Sequence, residues 1–137
     1  MKNLIALFCL TLITTASASA LPVEGLLGHW KAQNTILGRD VQFQLSFNFE
    51  QEDTTLTVEC LYHDGSSLVA TTSAHTNYSA NEIYIQEKRQ SVVDDGYRFC
   101  RSTLQPSMWR ALFDGTGKMV LFLPAPYQAQ LTLVQDN

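Results

Sequence analysis

Histidine and its possible partners are the residues most able to carry chemistry in this chain, and their spacing argues against a metal site. His29, His63 and His75 lie far apart, and no two of them have the short separation that zinc ligands on one element share. None belongs to a group of cysteines and carboxylates that would complete a coordination shell. We therefore expect no metal ligand and no cofactor.

Acidic and hydroxyl side chains likewise lack a catalytic arrangement. Glu87, Asp94 and Asp95 form a modest acidic group, but Lys88 and Arg89 are mixed with it. Paired carboxylates can cleave glycosides, whereas mixed charges beside a turn are typical of a hairpin exposed to water. The abundant Ser and Thr residues include no Gly-x-Ser-x-Gly frame for a nucleophile. The sequence predicts a protein that is not an enzyme.

The first twenty residues have the pattern of a secretory signal peptide. Lys2 supplies a positive start, residues 4–13 are an apolar run that includes Cys9, and Ala18-Ser19-Ala20 provides small residues for cleavage. The apolar run is too short for a permanent membrane anchor. We expect residues 1–20 to be removed and residues 21–137 to form one exported domain, periplasmic or secreted.

Cys60 and Cys100 remain in that domain, and an even number of cysteines in an exported chain favours a disulfide. Neither belongs to a CxxC pair, which argues against the alternatives of a reactive thiol or a metal ligand. In the chain-entropy model, closing a loop of about 40 residues stabilises the fold by roughly 3–4 kcal/mol.

The charge of the chain limits the kinds of partner. The 137 residues carry a formal net charge of −4, and the nine Lys and Arg residues are scattered, with only Lys88 and Arg89 adjacent. A nucleic-acid-binding surface or a contact with anionic lipid needs clustered basic residues. The sequence therefore predicts no nucleic-acid partner, and leaves a small molecule or another protein as the partner.

Strict alternation of apolar and polar residues over positions 41–50 gives the fold class. Successive side chains of a strand point to opposite faces, so Phe43, Phe47 and Phe49 should share one buried face. Similar segments recur along the chain, separated by short turns with Gly, Asp or Pro, and no helical periodicity appears. The nine candidate strands are residues 26–33, 41–50, 54–62, 67–75, 81–88, 97–104, 108–113, 118–123 and 127–135.

Short sequential connections favour an all-β, antiparallel up-and-down meander, and closure into a barrel of about eight strands removes the exposed edges. A β-sandwich is the alternative architecture, although it usually needs longer crossing connections. An eight-stranded barrel is just wide enough for side chains or one small ligand. On that ground we expect a solid or nearly solid interior slightly more than an open lumen.

Two short motifs stand at the ends of the predicted domain: Leu26-Leu27-Gly28-His29-Trp30 in the first strand and Leu131-Thr132-Leu133 in the last. They resemble the Gly-x-Trp phrase and the last strand of the lipocalin-like branch of the calycin barrels, in particular of small bacterial proteins. The resemblance implies a barrel whose closed end is covered by the Trp30 indole. It also implies binding of a small apolar or amphipathic ligand.

Aromatic residues and a few arginines are the candidates for such a site. Arg98, Arg101 and Arg110 could each orient an anionic head group. The predicted ligand-binding residues are Phe43, Phe47, Tyr62, Phe99, Arg101 and Trp109, and the predicted structural residues are Trp30, Cys60 and Cys100. The alternative function is a protein-interaction module, such as an inhibitor of a hydrolase, that uses residues 94–98 as a projecting loop around a solid core.

Overall fold

The computed structural model describes residues 22–125 and 128–136, and the regular elements among them are all β-strands. The predicted signal peptide lies outside the described residues. No helix in the described part of the chain is long and apolar enough to cross a membrane. The strands are β1 (Gly28–Ala32), β2 (Ile36–Leu37), β3 (Val41–Phe49), β4 (Asp53–Tyr62), β5 (Ser67–Ser79), β6 (Glu82–Ile85), β7 (Arg89–Asp94), β8 (Phe99–Leu104), β9 (Ser107–Phe113), β10 (Lys118–Leu123) and β11 (Ala129–Gln135).

Eight strands close into an antiparallel barrel. They are hydrogen-bonded in the order β1, β11, β10, β9, β6, β5, β4 and β3, and β1 also pairs with β3 to complete the circle. Trp30 shows the closure within one residue, because it lies opposite Gln135 on one side and Phe47 on the other. The short β2 extends the rim along β3. The predicted all-β up-and-down barrel is thereby confirmed, and its architecture is compatible with a lipocalin-like barrel.

The closed end of the barrel, defined here by Leu26, Trp30, Phe49, Thr54 and Tyr78, is tightly packed. Trp30 is 2% exposed, and its Nε1 donates a hydrogen bond of 2.9 Å to the carbonyl of Leu26. The Tyr78 hydroxyl donates to the carbonyl of Glu50, 2.6 Å away, in the turn between β3 and β4. The packed aromatic groups and their satisfied polar atoms seal this end against water.

The predicted strand at residues 97–104 exists as β8, but its expected place in the barrel is wrong. Within the described part of the chain, β8 pairs with β7 alone, a strand that the pattern did not reveal. Backbone hydrogen bonding between β5 and the chain that follows β6 ends at Gln86, whose backbone N–H donates to the carbonyl of His75 at 2.9 Å. We call β7 and β8 with their connecting turn the inner hairpin.

The inner hairpin packs on the inward face of β4 and β5. Ser102 Oγ donates to Leu56 O at 2.9 Å, and Thr72 Oγ1 donates to Ser102 O at 3.0 Å. Room for this additional layer exists because the inward residues of β5 include Ala70, Thr72 and Ala74, which are small and buried. A barrel strand with larger inward side chains would leave no space for it.

The predicted disulfide between Cys60 and Cys100 is present and joins β4 to the inner hairpin. The two Cα atoms are 5.8 Å apart, and both residues are 1% exposed. A buried disulfide of this kind is consistent with an oxidising, exported location.

Candidate functional site

A cavity of about 590 Å³ lies inside the barrel, toward the end opposite Trp30. It is bordered by the inward faces of β3, β4, β9, β10 and β11 and by one side of the inner hairpin. We call it the barrel cavity; its lining residues are Ile36, Phe43, Leu45, Phe47, Leu56, Val58, Lys88, Gln90, Arg101, Thr103, Gln105, Trp109, Leu123, Ala129 and Leu131. Space for a ligand therefore remains in the interior here, whereas the sequence slightly favoured a solid or nearly solid interior.

The wall formed by the barrel strands is apolar. Phe47 and Trp109 meet edge to face, with ring centroids 5.9 Å apart, and both rings are almost fully buried. Trp109 Nε1 donates to Ser107 Oγ at 3.0 Å, so its one polar atom already has a partner. What this wall offers a ligand is hydrocarbon and aromatic surface.

The inner hairpin supplies the polar part of the lining, and alternation along β8 explains which residues do so. Cys100, Ser102 and Leu104 are buried against β4 and β5. Arg101 and Thr103 must then point the other way, and both line the barrel cavity. An apolar chamber with a few polar groups along one side suits a molecule that has a hydrocarbon body and a polar end.

Two cationic side chains, Lys88 and Arg101, stand at this polar side. Among the described residues, neither has a carboxylate oxygen within 4.0 Å of its charged nitrogen atoms. The Arg101 guanidinium carbon lies 5.6 Å from the centre of the Phe99 ring, a contact that leaves its hydrogen-bond donors available. Arg101 is thus an exposed cation beside an apolar cavity, and it could bind an anionic group of a ligand there.

The other two candidate arginines do not reach the cavity. Arg110 points to the outer surface of the barrel, where its guanidinium lies 3.8 Å from Glu82. Arg98 is bound to Asp64 and Asp95, each at 3.0 Å, in the turn of the inner hairpin. Of the three arginines considered from the sequence, only Arg101 is placed where it could orient a ligand in the cavity.

A second concavity, of about 800 Å³, lies between the turn of the inner hairpin and the strand ends at Val41 of β3 and Tyr62 of β4. We call it the tip groove. Tyr62 and Phe99 line it, and the Tyr62 hydroxyl donates to Phe99 O at 3.0 Å. Phe43 and Arg101 border both this tip groove and the barrel cavity. The two spaces therefore adjoin each other at these two side chains.

The turn of the inner hairpin, residues 94–98, is fixed by Arg98. Its guanidinium lies 4.5 Å from the centre of the Tyr62 ring and binds Asp64 and Asp95 at once. The backbone N–H groups of Tyr97 and Arg98 both donate to Asp95, and these bonds, with the nearby guanidinium, hold the Asp95 pKa below its usual value. Tyr97 itself is 97% exposed.

The residues with possible catalytic chemistry remain separate. His75 Nδ1 lies 4.0 Å from Asp53 Oδ1, and both side chains are about half exposed. Within residues 22–125 and 128–136, no three His, Cys, Asp or Glu side chains gather as metal ligands would. Glu87 forms an ion pair of 3.1 Å with Arg89, on the surface.

The predicted binding residues divide between the two spaces. Phe43, Phe47, Arg101 and Trp109 line the barrel cavity, whereas Tyr62 and Phe99 line only the tip groove. Their role in binding stays a prediction. Sequence reasoning missed Leu45, which alternation places on the same face as Phe43 and Phe47. It also missed the polar residues Lys88, Gln90, Thr103 and Gln105, for which no local signal exists because the position of the inner hairpin is a tertiary feature.

Comparison of the chain with protein-family models, with curated proteins and with solved structures found no match.

Proposed function

We propose that this chain binds a small amphipathic molecule in the barrel cavity, as a lipocalin-like carrier. The observation that carries the proposal is the pairing of an apolar chamber with a cationic residue, Arg101, at its margin. The volume of about 590 Å³ falls within the range of about 300–1,000 Å³ typical of ligand sites. The body of the ligand would lie against Phe47 and Trp109, and its anionic end would bind Arg101.

Titration with a fluorescent fatty-acid probe tests the proposal. We expect saturable binding, quenching of tryptophan emission because Trp109 lines the cavity, and displacement by an unlabelled fatty acid. Absence of saturable binding over a wide concentration range would remove the proposal.

Filling the cavity should abolish this binding. Ala129→Trp places a large side chain among the lining residues of β11, and we expect the affinity for the probe to fall at least about tenfold. Gln130→Trp is the matched control, since the neighbouring residue on the same strand points outward, and it should bind as the unmodified protein does. Equal affinities for the two variants would place the probe outside the cavity.

Arg101→Gln tests the orientation of the ligand. Loss of one charge-assisted hydrogen bond, about 1.5–3 kcal/mol, should weaken binding of a fatty acid by about 10- to 100-fold and leave the matching fatty alcohol nearly unaffected. Arg110→Gln, on the outer surface, is the control and should change neither ligand. A similar loss for acid and alcohol would mean that Arg101 acts through packing and not through its charge.

A second candidate function, inhibition of a hydrolase by a projecting loop, is favoured by one observation. Tyr97 is almost fully exposed, yet the turn that presents it is fixed by Arg98, Asp64 and Asp95. An ordered, exposed aromatic is a common anchor in protein interfaces. Assays against a panel of glycan and peptide hydrolases would test this, with Tyr97→Ala expected to remove any inhibition while fatty-acid binding is retained.

Export through a cleaved signal peptide belongs to the same proposal. Expression of the full chain with its leader should yield a protein that begins at Leu21 and is recovered outside the cytoplasm. An intact mass that retains residues 1–20 would contradict it.

A further inference from the structure

Within the described part of the chain, the first half of β5, residues 67–73, has an open edge. β6 pairs with β5 only from Thr76 to Ser79, and the last backbone bond on that side is Gln86 N to His75 O. The inner hairpin covers the inward face of β5 and forms no backbone pairing with it. Residues 67–73 of β5 therefore have a hydrogen-bonded neighbour, β4, on one side only within the described part of the chain.

The alternation of backbone groups identifies which residues face the open side. Thr76 N donates to Glu52 O and Gln86 N donates to His75 O, so even-numbered residues point to β4 and odd-numbered ones away from it. Val69, Thr71 and Ser73 consequently direct their backbone N–H and C=O groups to the open edge. Their side chains lie on the outer face of the barrel and are exposed.

This edge lacks the features that usually prevent strand pairing. Natural edge strands carry charged residues, proline or bulges, and residues 67–74 contain neither a charged residue nor a proline. The nearby acidic groups lie outside this segment: Glu59 of β4 is opposite Val69 on the outer face, and Glu87 Oε1 accepts the backbone N–H of His75 at 3.2 Å. Residues 67–74 themselves are uncharged and rich in β-branched side chains.

We propose that the open edge of β5 pairs with the same edge of a second copy of this chain. The pairing would be antiparallel about a two-fold axis at Thr71, so that Thr71 lies opposite its own copy and Val69 lies opposite Ser73. All three residues would then exchange backbone hydrogen bonds with their partners, and two barrels would share one continuous sheet across the axis.

A second copy fits this edge because the segment is complementary to itself. Thr71 is an edge-facing residue, so a two-fold axis through it brings two hydrogen-bonding residues together in register. The uncharged side chains place no like charges in contact, and threonine and valine are favourable cross-strand neighbours. The residues that line the barrel cavity and the tip groove belong to other elements and not to β5, so this inference is independent of ligand binding.

Sedimentation velocity of the mature protein tests the proposal. We expect a monomer–dimer equilibrium between about 10 µM and about 1 mM, as befits a small interface. Thr71→Lys should make the protein monomeric, because the two lysines would face each other across the axis. A monomer throughout this range would overturn the proposal. It would do so even if the edge were found to bind a different extended peptide, because the proposed partner is a second copy of this chain.

Thr57→Lys is a closely matched control. Thr57 lies opposite Thr71 on the outer face, and the two hydroxyls are 3.1 Å apart, so each variant loses the same hydrogen bond. β4 is paired on both sides, and Thr57 therefore offers no free backbone to a second copy. Thr57→Lys should still dimerise; if both variants are monomeric or both are dimeric, the two-fold contact at Thr71 is wrong.

Cross-linking gives a second, positive test. Residues in a hydrogen-bonded antiparallel pair have Cα atoms about 5.5 Å apart, within the range that a disulfide spans. Under mild oxidation, Thr71→Cys should form a covalent dimer at least about tenfold faster than Thr57→Cys. Equal rates would overturn the proposed register.

Discussion

The closed end and the cavity end of this barrel use the same alternating strands but differ in how completely those strands pair. Around Trp30, each barrel strand has a neighbour on both sides, and the side chains fill the interior. Toward the other end, β6 stops early, the inner hairpin occupies part of the lumen, and a cavity of about 590 Å³ remains. The difference indicates that interruption of pairing on one side of β5 creates the space, the polar lining and the open edge together.

The energetic contrast between the ends can be tested with one aromatic residue from each. Trp30→Ala should destabilise the protein by about 3–5 kcal/mol, because a buried indole is lost and the Leu26 carbonyl loses its partner. Phe43→Ala should cost only about 1–2 kcal/mol, because Phe43 borders open space and is already partly exposed. Urea unfolding followed by circular dichroism measures both values. Similar losses would mean that the two ends are packed equally well.

The disulfide provides the next largest effect, and the structural change on its loss should be concentrated at the cavity end. Replacing both Cys60 and Cys100 by alanine should lower the free energy of unfolding by about 2–4 kcal/mol. The Cys60–Cys100 bond is the covalent cross-link between β4 and the inner hairpin. In its absence, limited proteolysis should begin to cut within residues 89–104 while the closed end stays protected. Cleavage distributed over the whole chain would show that the hairpin is not a separately released unit.

The thiol count of the unmodified protein is the control for that experiment. Denatured but unreduced mature protein should contain no titratable thiol, because the bond joins its two cysteines. Two reactive thiols would contradict the disulfide and remove the basis for comparing the variants.

How far the sequence could predict this structure differs between the two ends for a physical reason. Burial of Phe47 and Phe49 follows from alternation, which is a local property of β3 and needs no knowledge of its neighbours. β8 shows the same alternation, with Cys100, Ser102 and Leu104 on one face, so its pattern is identical to that of a barrel strand. Only its pairing partner differs, and a pairing partner is not encoded in periodicity.

One signal for the inner hairpin was nevertheless available. The inward residues Ala70, Thr72 and Ala74 are too small to fill a lumen, and a run of small inward residues indicates that another element packs against that wall. The polar lining of the cavity could not be deduced even so. The side chains of Arg101 and Thr103 face the cavity because the opposite face of β8 contacts β5, and the sequence does not show which face makes that contact.

The smallest effect we expect is at the turn of the inner hairpin, in acid. Hydrogen bonds from Ser66 and from the backbone of Tyr97 and Arg98, with the Arg98 charge, hold the pKa values of Asp64 and Asp95 below their ordinary value of 3.8. A carboxylate whose pKa is lowered by folding stabilises the folded turn, and this stabilisation is complete at pH values above the ordinary pKa of 3.8. It is lost as the pH falls through the lower, folded-state pKa. Both carboxylates lie on the surface of the protein, so the turn should loosen without unfolding the barrel.

Amide chemical shifts recorded from pH 7 to pH 2 would measure this. The Tyr97 amide should shift with a midpoint below 3.8, and in Asp95→Asn that transition should disappear. The Thr116 amide is an internal reference, because Asp114 accepts it in a turn between β9 and β10 and also has a lowered pKa, chiefly through Thr116. Its transition should persist in Asp95→Asn, since the two turns share no residue. A Tyr97 midpoint at or above 3.8 would mean that Arg98 and the two backbone donors do not hold the turn in solution, and the ordered presentation of Tyr97 would lose its physical basis.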